Sequence, residues 1–112
     1  MQEINEEQLD QVIDLSVARN GEVNESYLVA LGHRIKFALQ RMFNPGAGGS
    51  MKVRGNKREI ASFYAALKSE KRFMDSFMKH GLDDARTNKS ASALKRAVKK
   101  FERDTGLRWP FK

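Results

Sequence analysis

The segment Ser90-Ala-Ser-Ala-Leu-Lys-Arg-Ala-Val-Lys-Lys-Phe-Glu-Arg-Asp104 spaces its apolar side chains as a helix does, not as a strand does. With Leu94 at the origin of a helical wheel, Ala97, Val98 and Phe101 fall within about 60° of it. Lys95, Lys99, Arg103, Arg96 and Lys100 span about 100° to 240° on the same wheel. One face suits a core; the other is almost purely cationic. These five like charges sit within nine residues, with Glu102 the only acid among them. They repel one another and cost helix stability unless a counter-charge is supplied. Phosphates along a duplex supply it, with counterion release as the driving force.

Downstream, Thr105-Gly106 stops this helix before the tail Leu107-Arg-Trp-Pro-Phe-Lys112. Two aromatics around a proline make a stiff hook. Either Trp109 and Phe111 close the core of the C-terminal half, or they anchor a partner. Upstream, Leu82 to Lys89 reads as a polar turn. Before it, a helix begins after Gly55-Asn56 and ends at Gly81. Ile60, Phe63, Tyr64, Leu67, Met74, Phe77 and Met78 lie largely on one face of that helix, and Glu70 and Lys71 interrupt the face, which predicts a kink or break near Ser69. Met51-Lys-Val-Arg-Gly55 is extended, and too short and isolated to make a sheet.

Asn44-Pro-Gly-Ala-Gly-Gly-Ser50 carries a helix-stopping proline and three glycines, the composition of a flexible joint. Followed by Met51, it has the form either of a natural linker or of a fusion junction. On its N-terminal side, Asn5 caps a first helix with Gln8 three residues on, and Leu9, Val12, Ile13 and Val17 form its stripe. Asn20-Gly21 ends it. Val23-Asn24 then opens a second helix to about Phe43, with Leu28, Leu31, Ile35, Leu39 and Met42 inward. Phe37 lies about 180° from Leu28, where it packs against the other half or touches a partner. The expected architecture is all-α: an acidic helical hairpin over 1–43, a Gly-rich linker over 44–50, and a basic helical domain of two to three helices with an aromatic tail over 51–112.

The charge is divided along the chain. Residues 1–50 hold four basic and seven acidic side chains, and residues 51–112 hold seventeen basic and seven acidic ones, for a formal net charge of +7. A basic half of this kind favours polyanions, nucleic acid above all. Lys52, Arg54, Lys57 and Arg58 form a basic arm of the kind that enters minor grooves, and Arg86 and Lys89 extend the patch toward the last helix. The cationic face lacks the Asn and Gln that read adenine, so contact with double-stranded DNA would carry little sequence specificity. The turn before the last helix is too long and polar for a helix-turn-helix. An acidic protein surface is the alternative partner, and self-association through residues 5–43 fits the hairpin.

Catalysis needs converging titratable groups. His33 and His80 lie in different halves without partners at ligand spacing, Asp83-Asp84 is a capping pair, and Gly46, Gly48 and Gly49 belong to no phosphate loop. No enzyme activity, cofactor or metal is expected. Cysteine is absent, which suits a reducing compartment. No apolar run approaches the roughly 20 residues of a membrane span, and the start is acidic where a signal peptide is basic. The expected location is the cytoplasm of a bacterial host cell, or a virion.

Val53-Arg-Gly55, Glu70-Lys-Arg-Phe-Met74, Gly81-Leu-Asp-Asp-Ala-Arg-Thr87 and Thr105-Gly-Leu-Arg-Trp-Pro-Phe-Lys112 together resemble small proteins of tailed bacteriophages and related mobile elements. The resemblance covers the C-terminal half. It implies a setting in which small non-enzymatic proteins bind DNA, build virions or inhibit host machinery, and it assigns no residue a role.

Overall fold

The computed structural model describes residues 12–43 and 51–111. Within them Ile13, Leu15 and Val17 are buried at every second position, the period of a strand. Val12–Asp14 accordingly form strand β1, which pairs in parallel with β2 (Lys52–Arg54) in the register Val12↔Lys52, Ile13↔Val53, Asp14↔Arg54. Leu15 extends the ladder by donating its N–H to the Arg54 carbonyl at 2.8 Å. Asp14 ends the strand by accepting from both the backbone N–H and the hydroxyl of Ser16. The first helix of the expected hairpin is therefore absent over 12–20, and residues 5–11 of it lie outside the described residues. The isolated segment at 51–55 has a sheet partner after all.

Parallel strands cannot be joined by a tight turn; they need a long crossover. Helix α1 (Glu25–Phe43) lies between them in the chain. Asn24 caps it, its side chain accepting from the Tyr27 N–H at 2.8 Å and its carbonyl from the Leu28 N–H. Leu31, Ile35, Ala38 and Leu39 face inward. The Tyr27 hydroxyl donates to the Asp14 carbonyl and Arg34 donates to the Val12 carbonyl, so α1 is bonded to β1 at two points.

Helix α2 (Lys57–His80) starts at Asn56 with a complete capping box, in which Asn56 and Glu59 exchange side-chain and backbone bonds of 2.8 Å. It runs unbroken through Ser69. Glu70 does not interrupt it because the carboxyl enters the core and takes the Trp109 indole N–H at 2.8 Å. Its Phe63, Ala66 and Leu67 are buried, and Met74 packs against the same cluster. The core covers α2 no further, so Phe77 and Met78 share its angular face yet stand exposed, correcting their place in the expected apolar stripe.

Helix α3 (Ala85–Thr105) begins five residues before the expected Ser90, because Asp84 caps it and Thr87 is buried with its hydroxyl 3.0 Å from that of Ser76. The connection is thus only Gly81 to Asp84. That length would suit a helix-turn-helix, but Ser76 meets Thr87 at one end while Ser62 bonds Asp104 at the other. The two helices therefore run antiparallel along their length, where a helix-turn-helix crosses at a large angle.

Gly106 ends α3 with φ 73° and gives its N–H to the Glu102 carbonyl. A Cβ there would stand 3.0 Å from the Ala18 Cβ. Gly106→Ala is expected to cost about 1–2 kcal/mol from the left-handed backbone alone, read as a lower urea midpoint. The chain then folds back. Leu107 donates its N–H to Thr105 Oγ1, Trp109 donates its N–H to Glu102, and the indole enters the core between Phe63 and Phe101, at ring-centroid distances of 6.4 and 5.2 Å. Residues from both sides of the 44–50 segment, Ile13, Leu31 and Ile35 with Phe63, Phe101 and Trp109, share one hydrophobic cluster. The chain is mostly helical, with three helices among the described residues.

Candidate nucleic-acid interface

The cationic face of α3 follows from its amphipathic pattern. Val98 and Phe101 are buried, Leu94 and Ala97 pack against the core, and Lys95, Arg96, Lys99, Lys100 and Arg103 are all exposed. Lys95, Arg96 and Lys99 have no hydrogen-bond or ion-pair partner among the described residues. Lys100 is held 2.9 Å from Asp104, and Arg103 lies 3.5 Å from the other oxygen of the same carboxylate. Asp104 also accepts from the Ser62 hydroxyl, and these bonds, that of Ser62 foremost, bring its pKa down to about 2. One half-buried acid thus partly neutralises the C-terminal end of the face. The middle stays uncompensated.

The remaining candidates are exposed but distributed. Arg86 folds over Asp84 in a two-point contact at 3.0 and 3.1 Å, holding that carboxyl at about 2. Lys89 is exposed on the first turns of α3. Lys52 and Arg54 lie on β2, and Lys57 and Arg58 open α2, so the expected basic arm consists instead of positions in a paired strand and a capped helix. Such a segment is held in place by the ladder and the capping box.

One association was not visible in the sequence. Arg19, Arg58 and Arg103 line a common cleft of about 370 Å³ with Asn56 and Gly106. Arg19 is committed within it, its Nε and one terminal nitrogen each 3.1 Å from a Glu59 oxygen. The Glu59 side chain is 2% exposed, and its hydrogen bonds with Arg19, then with Asn56, lower its pKa despite burial. Arg58 has no such partner among the described residues. Arg19 stands 40 residues from Glu59 in sequence, a separation that no local spacing rule spans.

The aromatic candidates separate. Trp109 is 1% exposed and belongs to the core, so the anchor reading of the tail loses its main residue: the turn at Gly106 brings the indole inward. Phe111 is half-buried against Trp109 at a centroid distance of 6.1 Å. Phe37 is exposed on α1, with the Arg41 guanidinium 6.0 Å from its ring centre. Among the described residues no group of three or more His, Asp or Glu could hold a metal ion, and no helix is long and apolar enough to cross a membrane. No family model, curated protein or solved structure matches the chain.

Proposed function

We propose that this is a non-enzymatic nucleic-acid-binding accessory protein of a phage or mobile element, contacting the phosphate backbone through α3. One observation carries the reading: Lys95, Arg96 and Lys99 stand exposed, without a partner among the described residues, on one helix whose opposite face packs into the core. Such a face holds its charges together at a cost that phosphate contact relieves. Lys100, Arg103, Lys89, and Arg58 across the cleft extend the surface at either end. The face of α3 carries no exposed aromatic, and its one exposed amide, Asn88, stands about two turns before Lys95, so the contact is chiefly to backbone, with little discrimination among sequences.

The test is fluorescence anisotropy of the full chain with a labelled random DNA duplex, titrated from low to physiological salt. The expected outcome is log-linear weakening, with a slope of about −0.9 for each phosphate engaged. No binding at low salt would remove nucleic acid from consideration. The full chain is required, because truncation before Met51 would take Ile13, Leu31 and Ile35 out of the shared core.

A second reading keeps the same face but docks it on an acidic protein, as a virion assembly component or an inhibitor of a host complex. The exposed ring of Phe37 favours it, since α1 carries that ring away from the core. Self-association through residues 5–43 is a variant of this reading. Phe37→Ala is neutral in the first reading and weakens association in the second.

A further inference from the structure

A charged group lies where the proposed function makes no use of it. Glu70 is 3% exposed, at the centre of α2. Its single hydrogen-bond partner among the described residues is the Trp109 indole, which reaches Oε1 at 2.8 Å. Among the described residues no cation pairs with it. Burial pushes its carboxyl above the usual carboxylate range. A carboxylate in the interior with one neutral donor is under-compensated, since it has room for about four donors.

The second oxygen is not sealed in. Among the described residues no buried side-chain nitrogen or oxygen lacks a partner, so the remaining Glu70 oxygen must reach open space. It has such a space: Glu70 lines a pocket of about 200 Å³ with Ala91, Leu94, Val98, Trp109 and Phe111. The walls are aliphatic and aromatic, and the carboxyl is the acid among them. Lys95 contributes at the rim, where it is exposed and makes no ion pair with Glu70. Water alone would leave the aliphatic walls wetted, and a wholly apolar occupant would leave the oxygen without a donor.

We propose that this pocket binds a primary alkylammonium group, one of its N–H donors directed at the free Glu70 oxygen and its short chain against Leu94 and Val98. The ammonium gives the carboxylate the counter-charge that the fold withholds, and the Trp109 and Phe111 rings add cation–π attraction. The volume equals that of about seven waters, which suits a chain of about four to six carbons. A free aliphatic amine and a lysine side chain of a partner present the same chemistry.

Trp109 is the only tryptophan in the chain, so its indole N–H gives a single NMR signal bonded directly to the proposed site. Butylammonium chloride added to the ¹⁵N-labelled full chain is expected to shift that signal saturably, where sodium chloride at equal ionic strength does not. Glu70→Gln keeps an oxygen for the indole and removes the charge; it is expected to weaken binding at least about tenfold. 1-Butanol, equal in shape and uncharged, is expected to bind at least as much more weakly. Absence of a saturable shift, or equal affinity for butanol, overturns the proposal, as does unchanged affinity in Glu70→Gln. If that variant does not fold, the comparison of amine with alcohol decides alone. A blocked lysine that also saturates the signal identifies the source as a partner's side chain; saturation by the free amine only identifies a small molecule.

Discussion

Trp109→Ala is expected to remove about 3–5 kcal/mol of stability and to lower the melting temperature by about 15–30 °C, or to abolish the cooperative transition. The indole is 1% exposed and meets Phe63, Phe101 and Phe111, so truncation leaves a cavity that the stiff α2–α3 pair fills poorly. It also strips Glu70 of its one donor among the described residues, leaving a carboxyl in the interior without it. Total stability for a chain of this size is about 5–15 kcal/mol, so the loss takes a large share of it. Trp109→Phe separates the two causes, because it keeps most of the ring volume and deletes the N–H. Its expected cost is smaller, about 1–3 kcal/mol, and it comes chiefly from Glu70. Thermal denaturation followed by far-ultraviolet circular dichroism measures both. A Trp109→Ala chain that melts like the parent would place the tail outside the core and restore its reading as a partner anchor.

Reversal of Lys95, Lys99 and Arg103 to Glu is expected to weaken duplex binding at least about a hundredfold at low salt while leaving helicity intact. All three side chains are exposed, and Glu, Lys and Arg have similar helix propensities. Lys95 and Lys99 leave no partner behind, and Arg103 gives up only a 3.5 Å contact with Asp104, from a side chain 72% exposed. Three phosphate contacts are lost and three repulsions replace them, so the salt dependence should flatten together with the affinity. Anisotropy in parallel with circular dichroism separates loss of binding from loss of fold. Unchanged affinity in a folded triple variant would sink the proposed interface.

The helices were legible because their signals are local. Asn24 and Asn56 open α1 and α2, Gly81 and Gly106 close α2 and α3, and each of these bonds reaches only three or four residues along the chain. The same holds for the two faces of α3, where apolar and cationic residues alternate at helical spacing and need no other element to declare themselves. The strand at 12–14 was misread for a physical reason. Val12, Ile13 and Val17 fit a helical stripe, while Ile13, Leu15 and Val17 fit a strand, and so short a segment satisfies both periods. Its ladder partner lies 40 positions away, and only closure of the chain brings Lys52 beside Val12.

Composition, charge division, the three helices with most of their caps, and the cationic face of α3 were thus determined by the sequence itself, through interactions within a turn or two of chain. The tertiary structure alone decided the parallel strand pair, the bond between Arg19 and Glu59, the burial of Trp109 and the place of Glu70. Each depends on which distant surface arrives opposite it. A carboxyl that breaks an apolar stripe on paper is accommodated once an indole N–H, 39 residues away, is folded against it.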